Sequence, residues 1–449
     1  MSIPIKRIIA LLCCASLVCA GAPQAVGYAV LAHEAIIDSA WKDNIAPLLL
    51  QSFPKATPEQ LKVAQGYAYG GAIIQDMGYY PHGSKLVSDL THYVRSGDFV
   101  LALLRDARAN NDLNGYAFAL GALAHYAADN DGHRIGTNRA VPVLYPKLKK
   151  KYGDSVTYEQ DPLAHVKTEF GFDVIEVAQN RYVPAEYHDF IGFYVDIPLL
   201  EQAFRETYGL ELKSLLDNED HAINSYRRDV SNLLPRATRI AWALKSKEIM
   251  RDAPGTTKKQ FLYNLSRAKY EKEWGHDYQQ PTLGDRILAF LWRLVPKIGP
   301  LKVLAFRTPT PETEKMFEAS FNATMDRYRK LLAEQGTDHL KLVNDNFDTG
   351  ETSGPGVYFL NDETHAKLLE LLAKQNFATA PADTRAELLD FYSQPDAPYA
   401  TKAKPTEWAQ VQAELAQLKQ APPPANATTA GDSFAVPTIG GSGVSPKNP

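Results

Sequence analysis

Apolar residues recur at helical spacing along most of the chain between residues 28 and 250. The tetrapeptide Thr-Pro-Glu-Gln that begins at Thr57 has the pattern of a capping box with proline at the first helical position. Asp161 is a second cap followed by proline, and a long alanine-rich helix is predicted over residues 115–133. Because no alternating strand pattern separates these segments, the sequence predicts an all-α domain over residues 28–250.

A smaller and mostly helical region is predicted over residues 251–420. Helices are expected from Thr310, over residues 362–374 and after a cap at Thr406. Residues 421–449 contain runs of proline and glycine and too little apolar surface to fold, so we expect a disordered tail. The sequence leaves the role of the C-terminal region open.

Residues 283–306 form the most apolar stretch of that region, but prolines and charged residues interrupt it. The stretch is therefore too broken to span a bilayer. Its basic residues alternate with apolar ones, so two interpretations stay open: packing against the first domain, or peripheral contact with an anionic lipid surface.

The composition changes this picture little. The chain of 449 residues is 45% hydrophobic and 22% charged, which is typical of a folded soluble protein and excludes a collagen-like or mainly disordered chain. Lys and Arg number 48 against 52 Asp and Glu, a formal net charge of -4. Such a balance offers no basic field, so no stable nucleic-acid partner is expected.

The first residues have the pattern of a secretory signal peptide. Lys6 and Arg7 precede an apolar stretch over residues 8–20, and a small-x-small triplet ends at Gly27. We expect cleavage of residues 1–27 and export to a periplasmic or extracellular location. All three cysteines lie within this segment, so the mature chain has no disulfide, and any metal must be bound by His, Asp and Glu.

The strongest chemical signal is the motif His125-x-x-x-Asp129-x-x-x-His133. Positions i, i+4 and i+8 lie on one helix face, and small residues such as Gly121 and Ala128 occupy the rest of that face. A carboxylate buried there is costly unless a cation compensates its charge. A metal ion meets that need.

A second helix repeats the arrangement with His165-x-x-x-Glu169. One such pair arises often by chance, but two pairs on separate helices are how helical bundles build metal sites. His33, Asp76 and His92 lie earlier in the chain and add three more candidate ligands. Together these residues predict a site for several zinc ions.

The order and neighbours of these residues resemble the secreted zinc-dependent phospholipase C family, an all-helical fold that holds three zinc ions. The resemblance implies a first zinc bound by Asp76, His92, His125 and Asp129. It implies a second zinc bound by His133, His165 and Glu169. A third would be held by His33, Asp129 and the main chain of the mature N-terminal residue, here Tyr28 where the family commonly has Trp.

The resemblance also implies an activity, the hydrolysis of phosphodiester bonds in phospholipids, with Asp76 either a ligand only or the residue that orients or deprotonates the attacking water. Three Zn²⁺ ions and the carboxylates of Asp76, Asp129 and Glu169 would leave a net charge of six minus three, which attracts a phosphodiester. Tyr79, Tyr80 and Tyr126 are interpreted as packing aromatics or as a choline-like headgroup pocket.

Two alternative functions remain open. Zinc nucleases that act on single strands share the fold and the ligand types, but their HxxxDxxxPxH pattern departs from the four-residue spacing of Asp129 and His133. The other alternative is a non-catalytic module that zinc stabilises. Asp131 and Asp173 are candidates to orient the imidazoles, and His82 is expected to be a loop residue.

Overall fold

A computed structural model describes residues 30–80, 82–179, 193–228, 230, 245–251, 254, 305–335 and 340–422. Within these ranges the chain is helical with connecting turns and contains no β-strand. The one β-type pairing seen there is an isolated bridge between Asn346 and Glu351. The all-α prediction is confirmed.

The N-terminal half contains twelve α-helices among its described residues, together with short segments of tighter or wider helix. The α-helices are α1 Val30–Ala40, α2 Ala46–Ser52, α3 Pro58–Ile73, α4 Lys85–Tyr93, α5 Ser96–Ala109, α6 Leu113–Asp131, α7 Asn138–Leu144, α8 Pro146–Tyr152, α9 Pro162–Gln179, α10 Ile197–Tyr208, α11 Leu212–Leu215 and α12 Glu219–Arg228. A 3-10 helix, Ile74–Tyr79, continues α3, and π-helical turns cover Trp41–Ile45 and Gly132–Thr137.

The described part of the C-terminal region is also helical. Its elements are α13 Pro311–Ala333, α14 Phe359–Lys374, α15 Ala382–Phe391, a 3-10 helix Ala400–Ala403 and α16 Pro405–Gln420. An extended segment with a tight turn, residues 340–358, joins α13 to α14 across the surface of the N-terminal helices.

Helix α6 is the centre of the fold, and every residue from Gly115 to Asp131 is buried. Helix α3 packs along one side of α6 at very short range, because each helix presents glycine to the other's backbone. A Cβ atom on Gly121 would lie 2.1 Å from the carbonyl oxygen of Ala68. Small residues on both helices therefore set the distance between them.

The C-terminal helices share the core of the N-terminal half. Helix α13 packs against α6 and the π-helical turn that follows it, and the Tyr328 hydroxyl donates to the Leu120 carbonyl oxygen at 2.9 Å. Leu368, Leu372 and Leu418 belong to the same buried apolar cluster as the residues of α3 and α6. The described part of the C-terminal region is thus packed directly onto the helices that carry the predicted site.

Helix starts follow local chemistry in most places. Thr57 accepts a hydrogen bond from the Gln60 amide in the predicted capping box, and Asp161 accepts one from the Ala164 amide. The last helix differs from the prediction, since it begins at Pro405 with Lys404 as its N-cap. Proline fixes a helical φ at the first position, so the helix starts one residue before the expected cap at Thr406.

Several predicted features lie outside the described residues. They include the signal peptide, Tyr28, residues 283–304 of the apolar stretch and residues 423–449 of the tail. Among the helices that the structure describes, none is long and apolar enough to cross a membrane.

The close approach of α3 and α6 gives a stability prediction. We expect Gly121→Val to lower the free energy of unfolding by about 1–3 kcal/mol, because the new side chain would push the backbone of α3 away. Gly354→Ala is the control, since a Cβ atom there meets nothing within 4 Å. Chemical denaturation of both variants measures the effect, and equal stability of the two would contradict the packing argument.

Candidate metal centre

Three groups of histidines and carboxylates converge in the interior of the described structure, with donor atoms of each group within 4.8 Å of one another. All of these side chains are buried. The groups are His33, His125 and Asp129; Asp76, His92 and His125; and His133, His165 and Asp348. The structure therefore brings together seven predicted side chains and one that was not predicted, Asp348. The eighth predicted side chain, Glu169, contacts both histidines of the last group.

The first centre has the spacing of a tetrahedral site. His92 Nε2 lies 3.3 Å from Asp76 Oδ1, 3.3 Å from Asp129 Oδ2 and 3.4 Å from His125 Nε2. His125 Nε2 lies 3.2 Å from Asp129 Oδ2. Donors bound about 2.0–2.1 Å from a tetrahedral zinc ion are about 3.3–3.4 Å apart. These four separations thus match the spacing of ligands that share one ion.

Main-chain carbonyl groups fix the rings of the first centre. His92 lies in α4, and its Nδ1 donates to the Ser88 carbonyl oxygen at 2.7 Å. His125 lies in α6, and its Nδ1 donates to the Ala72 carbonyl oxygen of α3 at 2.8 Å. In the neutral form of each ring, Nε2 is then the nitrogen with the free lone pair. Such hydrogen bonds orient the imidazoles of metal sites.

Asp129 connects the first centre to a third one. Its Oδ2 faces His92 and His125, while its Oδ1 lies 3.4 Å from Nε2 of His33 in α1. The rings of His33 and His125 are stacked with centroids 4.5 Å apart. One carboxylate thus presents an oxygen to each of two adjacent donor groups, as a bridging ligand does.

The second centre lies where α6 passes into a π-helical turn. This turn carries His133, and α9 carries His165 and Glu169. Glu169 Oε1 is 2.8 Å from His165 Nδ1 and 3.7 Å from His133 Nε2. Wider helical turns of this kind are frequent at functional sites because they redirect a side chain.

Asp348 is the residue that sequence reasoning missed. Its Oδ1 lies 3.1 Å from His133 Nδ1 and 3.4 Å from His165 Nε2. It lies in the extended segment after α13, where no helical spacing relates it to a histidine. The turn-forming sequence Asn-Phe-Asp-Thr-Gly around it was the only signal, and such a sequence predicts a turn but no partner.

The electrostatics of the centre favour added positive charge. Burial opposes protonation of His92, yet the adjacent carboxylates of Asp129 and Asp76 outweigh burial and raise the pKa of His92 to about 10. Burial would raise the pKa of Asp129, but the charges of His125 and His133 lower it well below its usual range. Positive charge is therefore strongly stabilised among these carboxylates, and a divalent cation supplies more of it than a proton.

Unsatisfied polar atoms show that the residues fit a metal. Buried side-chain atoms without a hydrogen-bond partner cluster in the three groups: Asp76 Oδ1, both carboxylate oxygens of Asp129, both ring nitrogens of His133, His165 Nδ1, Glu169 Oε1 and Asp348 Oδ1. Leaving such atoms unpaired costs about 1–3 kcal/mol each, and more for charged groups. Metal ions bound at these groups, together with the protons on the imidazole nitrogens that do not bind metal, would remove that cost.

The other candidate residues lie around the centre rather than in it. The Tyr79 hydroxyl donates to Asp89 Oδ1, the Tyr80 ring packs on Tyr226, and the Tyr126 hydroxyl donates to the Val343 carbonyl oxygen. Asp131 pairs with Arg134 and Arg327, and Asp173 accepts from the Leu31 amide. His82 is exposed in a turn, with its ring against His221.

The bridging position of Asp129 predicts how metal content responds to mutation. We expect Asp129→Asn to lose the ions of the first and third centres together, because both depend on its oxygens, and His125→Ala to lose at least the first. Asp131→Asn is the matched control, since Asp131 is buried in the same helix but pairs with arginines. Elemental analysis of the purified proteins measures the loss, and unchanged metal content in Asp129→Asn would contradict the bridging geometry.

The unpaired buried atoms predict metal-dependent stability. If zinc binds only the folded chain, free zinc at about 1,000 times the dissociation constant adds roughly 4 kcal/mol to the free energy of unfolding for each centre. We expect a chelator to remove this stabilisation and so lower the melting temperature, and added zinc to restore the melting temperature. Calorimetry in both conditions tests this, and a melting temperature that the chelator leaves unchanged would argue against bound metal.

Comparison with known proteins agrees with the geometry. Residues 32–218 match the family model described as zinc dependent phospholipase C. No curated protein and no solved structure matches the chain. The matched segment contains every predicted side-chain ligand from His33 to Glu169, whereas Asp348 lies outside it. The family's zinc dependence agrees with the three donor groups, and over residues 32–218 the chain is similar to the zinc-dependent phospholipase C family.

Proposed function

We propose that this chain is an exported zinc-dependent hydrolase that cleaves the phosphodiester bond of phospholipids by the phospholipase C route, with three zinc ions. The observation that carries the proposal is the pair of adjacent donor groups joined by Asp129, with a further histidine and carboxylate group beside them. The similarity of residues 32–218 to the zinc-dependent phospholipase C family supports the same reaction class.

The proposed ligands are those that the resemblance implies. Asp76, His92, His125 and Asp129 would hold the first ion, and His33, Asp129 and the main chain of Tyr28 would hold the third. His133, His165 and Glu169 would hold the second. When bound, zinc supplies Lewis acidity that brings the pKa of water to about 7 and neutralises charge on phosphoryl oxygens.

The protein's own contribution is to fix these donors before substrate arrives. The Ser88 and Ala72 carbonyl groups lock the tautomers of His92 and His125, and helix α6 holds His125 and Asp129 one turn apart. The burial of all these side chains keeps the local dielectric low. Electrostatic stabilisation is stronger in such a site than in water.

Asp76 is the proposed general base. Its Oδ1 is buried and accepts no hydrogen bond, and it lies at the end of α3 in the short 3-10 helix. Burial raises the pKa of Asp76, although the adjacent His92 and His125 oppose the shift. A raised pKa makes the carboxylate a better proton acceptor near neutral pH.

Charge supports an anionic substrate of limited size. Three divalent ions would carry six positive charges, and Asp76, Asp129, Glu169 and Asp348 would cancel four of them. The remaining excess of two positive charges suits one negatively charged phosphodiester group. The net charge of -4 for the whole chain provides no extended basic surface of the kind that a nucleic acid requires.

Export is part of the proposal and rests on the sequence of residues 1–27. Cleavage after Gly27 would place the amino group of Tyr28 five residues before His33. N-terminal sequencing of protein recovered from the periplasm or medium tests it. A first residue other than Tyr28 would remove the main-chain ligand of the third centre from the proposal.

Substrate class and catalytic role can be tested together. We expect the zinc-loaded mature chain to release phosphocholine from phosphatidylcholine and to leave single-stranded DNA intact. Asp76→Asn should lower the rate about 10²–10⁴-fold, the usual contribution of a general base. Asp106→Asn is the control, because Asp106 is also buried but pairs with Arg105 in α5.

The remaining outcomes separate the alternatives. Cleavage of DNA without release of phosphocholine would make the chain a zinc nuclease. A zinc-loaded protein without activity on either substrate would make it a zinc-stabilised module. Either result would overturn the proposed function.

A further inference from the structure

Hydrogen bonds within the turn that carries Asp348 hold its backbone together. Asn346 Oδ1 accepts hydrogen bonds from the amides of Asp348 and Thr349 at 3.0 and 3.3 Å, and the Gly350 amide donates to the Asn346 carbonyl oxygen at 2.7 Å. Gly350 has a φ of 67°, and a Cβ atom there would lie 2.2 Å from the Asn130 carbonyl oxygen of α6. Glycine thus allows the turn to approach the helix that carries Asp129.

The same turn is anchored to the residues of the metal centre. The Phe347 amide donates to the carbonyl oxygen of His92 at 3.1 Å, and the Phe347 ring packs edge-on against the His92 ring with centroids 5.4 Å apart. The Asn138 side-chain amide donates to the Asp348 carbonyl oxygen at 2.6 Å. The C-terminal region is therefore attached to both the first and the second centre.

The carboxylate of Asp348 is held in one orientation. Its Oδ2 accepts from the Tyr158 amide at 2.9 Å and from the Tyr358 hydroxyl at 2.6 Å. Its Oδ1 is buried and lies 3.1 Å from Nδ1 of His133 and 3.4 Å from Nε2 of His165. Two donors on one oxygen thus leave the other oxygen facing the two imidazoles.

The two imidazoles lie between two carboxylates. Glu169 faces Nδ1 of His165 and Nε2 of His133, whereas Asp348 faces the opposite nitrogen of each ring. A neutral imidazole has one nitrogen that carries a proton and one that binds a metal. One carboxylate therefore faces the ring nitrogens that are free to bind a metal, and the other carboxylate faces the ring nitrogens that carry a proton.

The hydrogen bonds of Asn138 determine which ring nitrogen of His165 carries the proton. Its Nδ2 donates to the Asp348 carbonyl oxygen, so its Oδ1 is the acceptor that lies 2.8 Å from Nε2 of His165. Nε2 of His165 must then carry the proton, and Nδ1, on the Glu169 side, has the free lone pair. The nitrogen of His165 that is free to bind a metal is therefore the one on the Glu169 side, and Asp348 lies on the protonated side.

We propose that Asp348 is a positioning residue of the second metal centre, supplied by the C-terminal region, which accepts the Nδ1 proton of His133 and thereby directs Nε2 of His133 toward the ion. This inference rests on the proposed function, because it takes His133, His165 and Glu169 as zinc ligands. It gives the C-terminal region a role in metal binding. Carboxylates that accept the second proton of a ligand histidine raise its basicity and fix its ring.

The test measures zinc affinity of the full chain in competition with a chromophoric chelator. We expect Asp348→Asn to bind one zinc ion about 10–100-fold more weakly and to retain the others at parental affinity. Saturating zinc should restore the full stoichiometry. Tyr358→Phe removes one of the two donors to Oδ2 but keeps the carboxylate, so we expect a weakening of the same ion by less than about 10-fold.

Asp345→Asn is the matched control. Asp345 lies in the same segment, and its Oδ1 accepts from the Thr352 hydroxyl instead of facing an imidazole. We expect its zinc affinity to equal that of the parent protein. Equal weakening in Asp345→Asn and Asp348→Asn would overturn the inference, because loss of any charge in the segment would then explain both.

Three other results would also overturn it. Parental affinity for every ion in Asp348→Asn means that the carboxylate does not position His133. A zinc ion that cannot be restored at saturation means that Asp348 is itself a ligand. Weakening of all ions together with a lower melting temperature means that the role is only structural.

The failure of this inference differs from a failure of the proposed function. A parent protein that binds no zinc would end both. A parent protein that binds zinc and releases phosphocholine, with Asp348→Asn unchanged in zinc affinity, would end only the inference about Asp348.

Discussion

The structure depends on the compensation of one buried carboxylate. Asp129 lies in the middle of the protein on a helix of mostly small and apolar residues, where an isolated charge is costly. Histidines from α1, α4 and α6 surround its two oxygens at 3.2–3.4 Å. This demand for positive charge explains why residues so distant in the chain converge at one point.

The packing of small residues makes that convergence possible. Gly71 and Gly121 let the backbones of α3 and α6 approach closely, since a Cβ atom on Gly71 would lie 1.9 Å from the Phe118 carbonyl oxygen. The same approach brings the Ala72 carbonyl oxygen within 2.8 Å of His125 Nδ1. The close packing of α3 and α6 therefore also orients the His125 ring, and a change in the spacing of the two helices would disturb both the packing and the orientation of the ring.

The centre also lies where the two halves of the chain meet. Helix α13 packs on α6, and the segment that follows it places Phe347 and Asp348 against the histidines. The segment that matches the family ends at residue 218, so this contribution comes from outside it. The C-terminal region is thus part of the environment of the site, and the composition of the second centre cannot be described from the matched segment alone.

Sequence by itself determined the helical class, the helix starts at Thr57 and Asp161, and eight candidate side chains that the structure brings together. It could do so because an α-helix has 3.6 residues per turn, so residues four apart share a face wherever the helix packs. This spacing relates His125, Asp129 and His133 to one another, and it relates His165 to Glu169. The predicted cap at Thr406 lies two residues after the observed N-cap, Lys404, because proline favours the first position of a helix. Only the tertiary structure decided the place of Asp348, because a turn has no periodicity that relates it to distant residues. It also decided which nitrogen each imidazole presents and the role of Asn138, because the orientation of a ring follows from its neighbours.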